Sequence, residues 1–217
     1  MSEYTLHCFG ESGNAYKTAL MLELSRCNWT PVWVDYFNGE TRKPEFRAGT
    51  NEMGEVPILS HKGLKLTQSG VILDYLAEQT RKFGPKSEDE RREIWRWILF
   101  DNHKFTSYLA THRFLFSVAP PGTDPAVVAA FKARAEAAYA IVDEHLSAQP
   151  FVTGAQPTIA DFSMAGYVFY PVEETGIDIA ESYPGIDAWR GRMMALDGWK
   201  APYDLMPGRR LPSQVRP

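Results

Sequence analysis

A proline at position 57, set directly before the apolar pair Ile58-Leu59, restricts this chain more than any other single residue. Proline cannot donate to a β-ladder, so a strand beginning there sits at an edge or a bulge, and the Val56-Pro57 peptide is a candidate for the cis form. A cis bond turns the Val56 backbone outward, where its N–H and C=O can pair with an extended, peptide-like ligand by strand addition. Further along, Gln68-Ser69 opens a helical pattern whose unpaired N–H groups offer a place for an anion. An ordinary edge strand guarded by a proline would carry the same residues, so the neighbouring segments decide between the two readings.

Those segments alternate in character through the first third of the chain. Tyr4 to Phe9 reads as a strand, Asn14 to Ser25 as a helix and Pro31 to Tyr36 as a second strand, which is a βαβ unit. A short helix over Pro44 to Ala48 follows, then Val56 to Ser60, a Lys62-Gly63 turn, Lys65 to Thr67, and a helix with Val71, Ile72, Tyr75 and Leu76 on one face. Tyr16, Leu20, Leu24 and Cys27 repeat at helical spacing and are expected in the core.

Residues 81–87 (Arg-Lys-Phe-Gly-Pro-Lys-Ser) end the helical period and read as a linker. Beyond it no segment reads as a strand. Glu88 to about Phe116 is a long helical pattern, and Pro125 to Ser147 another, with Val127, Phe131, Ala135, Ala138, Val142 and Leu146 along one face. Further helices are expected over Thr158 to Glu174 and Ile186 to Leu196. Thr158 and Asp161 have the spacing of a capping box, which gives Asp161 a structural role in preference to an acid's. The expected architecture is an α/β domain over residues 1–80, in the order β-α-β-α-β-β-α, and an all-α domain over 88–217.

With 217 residues, 44% of them hydrophobic, the chain can bury the core of one large domain or two small ones. No run approaches the roughly 18 to 20 consecutive apolar residues that a membrane-spanning helix needs, and Met1-Ser2-Glu3-Tyr4 lacks the pattern of a secretory signal. Cys8 and Cys27 form neither a Cys-x-x-Cys pair nor a metal-ligand spacing, so no disulfide framework and no metal site is expected, and the compartment is the reducing cytosol. A net charge of −4 with dispersed Lys and Arg argues against nucleic acid as a partner.

Chemistry is expected in the loop Gly10-Glu11-Ser12-Gly13-Asn14, where a hydroxyl and an amide meet the start of the first helix. Unpaired N–H groups and the helix dipole favour negative charge there, and Ser12 or Asn14 can add a hydrogen bond to a bound anion. Ser12 can equally be a plain helix cap. It is not the nucleophile of a triad: it lies in no Gly-x-Ser-x-Gly elbow, and none of the five histidines is placed as its base.

Taken together, the element order, Ser12-x-Asn14, Gly54-x-Val56-Pro57, Gln68-Ser69, the linker, the helical second part and Thr158-x-x-Asp161 resemble a cytosolic glutathione S-transferase across nearly the whole chain. The resemblance implies a thioredoxin-like domain followed by a helical bundle, with glutathione as cosubstrate. It implies that Ser12 hydrogen-bonds the glutathione sulfur with Asn14 as a helper. By the same resemblance, Val56 is expected to pair with the cysteinyl backbone before a cis Pro57, and Gln68-Ser69 to hold the γ-glutamyl end. It also implies a homodimer packed near the Gln68-Ser69 helix. A hydrophobic electrophile is expected against the helical domain, near Phe105, Tyr108, His112 and Phe116.

Two residues depart from the family pattern. Gln68 stands where an acidic residue often meets the γ-glutamyl amine, and Glu55 where a basic or amide residue usually precedes Val-Pro. Glu55 would repel the glycyl carboxylate unless Lys43 or Arg42 compensates. Ser12 and Ala15 replace the cysteines of a dithiol motif, so no dithiol mechanism rests on these positions. Glutathione conjugation is the expected activity. The alternatives are a glutathione-dependent disulfide or peroxide reductase and a non-catalytic protein that keeps the fold for partner binding.

Overall fold

Leu6, at the centre of strand β1 (Tyr4–Cys8), is excluded from solvent and has strands on both sides. It lies opposite Pro31 of the parallel strand β2 (Trp29–Trp33) and opposite Leu59 of the antiparallel strand β3 (Ile58–His61). Lys62 and Gly63, both at positive φ, turn β3 into β4 (Leu64–Thr67), giving a four-stranded sheet in the order β2-β1-β3-β4. Such a two-residue turn matches the twist of the strands it joins. The computed structural model describes residues 3–118 and 122–211.

The pleat sends Ile58 and Leu59 to opposite faces of the sheet. Leu59 joins the main core with Leu20 and Leu24 of helix α1 (Gly13–Leu24) and Ile72 and Leu76 of α3 (Ser69–Thr80). Ile58 joins a smaller core with Val34 and Phe46, the latter from helix α2 (Pro44–Gly49). Nearly every residue of α1 is buried, because the sheet, α3 and the helical half enclose it. One consequence is that Lys17, in the middle of α1, has no solvent exposure at all and pairs with Asp101 at 2.6 Å.

Several elements differ from expectation for local reasons. The Val56-Pro57 bond is cis, and β3 begins only after it, at Ile58. The pattern over 88–116 is two helices, α4 (Glu88–Phe100) and α5 (Thr106–Ser117), joined by a wider π turn over Asp101–Phe105. Such turns insert a residue into the ladder without ending it, so the periodicity passes through them. The stretch over 158–174 is helix α7 (Ile159–Met164), an aromatic irregular run, and a single turn α8 (Val172–Thr175). Val71 is exposed because α3 buries Ile72, Leu73, Leu76 and Ala77 instead, and Val127 is exposed at the start of α6 (Pro125–Ala148).

The helical half packs α6 against α5 and against α10 (Pro184–Met194). Asp161 caps α7 as its spacing implies, accepting from the Thr158 N–H at 2.8 Å. The same carboxylate also accepts from the Val152 N–H and the Trp189 indole, each at 2.9 Å. It therefore ties three segments together from a fully buried position.

Candidate functional site

The loop leaving β1 is clamped from the helical half. The Gly10 carbonyl accepts from the Tyr170 hydroxyl at 2.7 Å, and the Glu11 carbonyl accepts from Arg113 Nη1 at 2.7 Å. Arg113, on α5, is itself fixed by an ion pair with buried Glu174 and lies 4.2 Å over the Tyr170 ring. Residues near the other end of the described chain complete the clamp: Gly10 N–H donates to the Pro207 carbonyl at 2.6 Å, and the Arg209 N–H to Glu11 at 3.3 Å.

Clamped in this way, the loop presents Ser12 at the N-cap of α1. Its oxygen accepts from the Ala15 N–H at 3.2 Å, so the residue is the cap that its position suggested. That bond occupies an acceptor lone pair and leaves the O–H free to donate. No acidic side chain occupies the first turn of α1, so the positive end of the helix dipole is not neutralised there. Asn14, half-buried on the same turn, faces the same space.

Ser12 and Asn14 form one wall of a cleft of about 720 Å³ between the two halves of the molecule. Glu55, Val56 and Gln68 form the wall beside them, and Pro57 and Ser69 border a small adjoining recess of about 50 Å³. Gln68 holds φ +67° and ψ 114°, a conformation that side-chain-bearing residues rarely adopt. Its amide donates to the Glu55 carboxylate at 3.0 Å, while Asn51 holds the Glu55 carbonyl at 2.9 Å. Glu55 thus faces the cleft and is partnered by an amide.

Lys43 does not compensate it. That lysine is exposed and borders a separate depression with Asp35, Glu40 and Glu45. Arg42 and Arg47 line the cleft together with Arg113, and a Cβ on Gly54 would stand only 2.9 Å from Arg47 Nε. Arg47 was missed because nothing in the α2 sequence shows which face of so short a helix turns inward.

Phe105, Tyr108, His112 and Phe116 do not line the cleft. Phe105 stacks on Tyr139 of α6 at 4.5 Å, Tyr108 lies beneath Arg134 of α6, and His112 is buried beside Phe116. These residues form the stripe that α5 packs into the bundle, as an apolar row at helical spacing does. The cleft takes the opposite, smaller face of α5, through Thr106, Ala110, Thr111 and Phe114. Asn102 from the π turn and Tyr167 from the aromatic run after α7 complete it. The spacing 106-110-111-114 was a usable signal, masked by the larger aromatic residues on the other side.

Residues 2–78 match the family model for the glutathione S-transferase N-terminal domain, and residues 125–192 match the model for its C-terminal domain. The crystal structure of a glutathione S-transferase from Xanthobacter autotrophicus Py2 is 30% identical, with 93% of this chain and 98% of that one covered at a TM-score of 0.82. The chain belongs to the glutathione S-transferase family. Among relatives known by sequence, glutathione S-transferase F14 of Arabidopsis thaliana is 27% identical over 99% of this chain and 91% of its own. The disulfide-bond oxidoreductase YfcG of Escherichia coli is 28% identical over 85% of this chain and 87% of its own. A theta class glutathione S-transferase from Xanthomonas axonopodis pv. citri, solved with glutathione bound, is 25% identical at a TM-score of 0.80, covering 91% of this chain and 95% of that one.

Two further properties bear on the family's chemistry. No group of three or more His, Cys, Asp or Glu side chains able to hold a metal ion occurs among the described residues. No helix among them is long and apolar enough to cross a membrane.

Proposed function

We propose that this protein is a glutathione transferase in which the Ser12 hydroxyl, at the uncompensated N-terminus of α1, stabilises glutathione as a thiolate. The observation that carries this is the meeting in one cleft of Ser12, the Val56 backbone before a cis proline, and Gln68 at the start of α3. A thiol with a reference pKa of about 8.5 is only a few per cent ionised at neutral pH, and lowering it by about two units takes ~2.7 kcal/mol. A hydroxyl hydrogen bond and a helix N-terminus together are of that size. The thiolate then attacks an electrophilic carbon: a C–S bond forms, the leaving group departs with its electron pair, and the thiol proton is released to solvent.

Arg47 and Arg42 supply the charge for the glycyl carboxylate, and Gln68 with Ser69 receives the γ-glutamyl end. The electrophile is a hydrophobic small molecule, since Phe9, Phe37 and Phe114 border the open part of the cleft. The second reading, reduction of a glutathione mixed disulfide, is favoured by the likeness to YfcG. In that case the thiols come from glutathione alone, because burial pushes the Cys8 thiol up to about 12 and raises Cys27 as well.

A homodimer in the cytosol fits this reading. Val71 on α3 and Leu99 on α4 leave 48% and 63% of their surface exposed, and light scattering at micromolar concentration that gave only the 24.5 kDa monomer would count against it. Conjugation of a chloro-dinitro-aromatic, assayed beside reduction of hydroxyethyl disulfide, separates the two activities. Glutathione binding with neither activity would sink both.

A further inference from the structure

The helical half brings a second hydroxyl to the same helix end as Ser12. Tyr167 follows Gly166 in the aromatic run after α7, and its ring packs against the first turn of α1. A Cβ on Gly13 would stand 2.6 Å from two of its ring carbons and 2.5 Å from the Gly166 carbonyl. Only glycine at 13 admits that approach. The Arg113 guanidinium stands 5.5 Å over the Tyr167 ring. Tyr167 shares the cleft with Ser12 and Asn14.

A phenol hydroxyl beside the cleft can donate a hydrogen bond to an acceptor held there. Burial raises the Tyr167 phenol above the ordinary tyrosine range, against the opposing influence of Arg113. Tyr170, whose ring lies 5.5 Å from that of Tyr167, is likewise raised by burial. Tyr167 is therefore a donor at neutral pH and not a base.

We infer that Tyr167 is a second catalytic donor to the reacting sulfur, supplied by the helical half opposite Ser12. This rests on the transferase reading above and adds to it a residue of the other domain. In this arrangement Ser12 and Tyr167 grip the sulfur from two sides, and opening the two halves relative to one another loosens one of the two hydrogen bonds.

Tyr167→Phe keeps the ring over Gly13 and removes only the hydroxyl. With the parent, thiolate absorbance of bound glutathione is titrated against pH, and kcat and KM are measured with a chloro-dinitro-aromatic. The expected result for the variant is a bound-thiol pKa about one unit higher and kcat at neutral pH about tenfold lower, with KM for glutathione within about threefold. Incorporating 3-fluorotyrosine at 167 gives a more acidic donor of the same shape, and the bound-thiol pKa is expected to move down. An unchanged thiol pKa in both replacements, with the parent ionising its glutathione normally, would overturn the role of Tyr167 and leave the transferase reading standing. A parent that binds glutathione without shifting its thiol would overturn both.

Discussion

Lys17 Nζ lies 2.6 Å from Asp101 Oδ2, and neither side chain has any solvent exposure. The pair joins α1 of the thioredoxin-like half to the π turn between α4 and α5. Asp101 is otherwise satisfied by the Ser163 hydroxyl at 2.7 Å and the Thr106 N–H at 3.2 Å. Burial lowers the Lys17 pKa against the pull of Asp101. A buried pair of this kind fixes the relative placement of two elements more than it adds net stability.

Removing one partner is accordingly expected to be worse than removing both. Lys17→Met leaves a buried carboxylate and should cost about 3 to 5 kcal/mol in denaturant unfolding. The double variant Lys17→Met/Asp101→Leu should cost less than the single one. A double variant that loses as much as the single one would mean that the pair contributes stability in its own right, and additive losses would mean that the two side chains are not coupled.

Ser12→Ala removes a helix cap and, on the proposed reading, a thiol donor at once. Loss of the cap is expected to cost about 1 kcal/mol of stability. Loss of the donor should lower kcat by at least about tenfold while glutathione affinity changes little, because most of the tripeptide is held elsewhere. A variant with full activity and an unchanged bound-thiol pKa would shift the role to Asn14 or Tyr167.

On the proposed reading, Glu55 and Arg47 oppose one another at the glycyl end. Glu55→Gln should tighten glutathione binding by about 1 kcal/mol at low salt, and Arg47→Gln should weaken it by a similar amount. Titration calorimetry at two ionic strengths measures both, and high salt should shrink both differences. If Glu55→Gln binds worse, the carboxylate orients Gln68 through their 3.0 Å contact and that role outweighs its repulsion.

Asp161 gives a pH signature with a definite sign. Burial raises its carboxyl from 3.8 to about 6, against four opposing hydrogen bonds. Between about pH 4 and 6 the folded state holds a proton that the unfolded chain has released, so this group adds stability as pH falls through that window. The shift is of order 3 kcal/mol in full. The stability deficit of Asp161→Asn relative to the parent should therefore be larger at pH 4.5 than at pH 7.5. A deficit that shrinks in acid would show that its hydrogen bonds outweigh its burial.

The legible part of the site lay where backbone geometry is dictated by residue type. Pro57 marked the cis bond, Ser12 the cap, and Thr158 with Asp161 the capping box, because each of these residues acts within a few positions of itself. The unread part was tertiary. Phe105 and His112 were expected at the electrophile, yet aromatic residues on α5 serve the bundle core, and the cleft is lined by the helix's smaller face. Lys43 is the extended N-cap of α2 and Arg47 lies within it, and only the fold shows which of them reaches the cleft. Tyr167 and Arg113 carry no local signature, since what matters about them is the loop that they reach from the far half of the chain.

That reach has a consequence for biosynthesis. Gly10 is held by Pro207, Glu11 by Arg209 across 198 positions of sequence, and Glu174 by the Leu211 N–H. Contacts of such separation form late, after the local β-α-β pairings of the first domain are in place. A nascent chain on the ribosome is expected to carry a finished sheet and an unclamped Ser12 loop. Competence to bind glutathione would then be acquired only when residues 207–211 have been synthesised, so that ligand binding reports on the arrival of that segment.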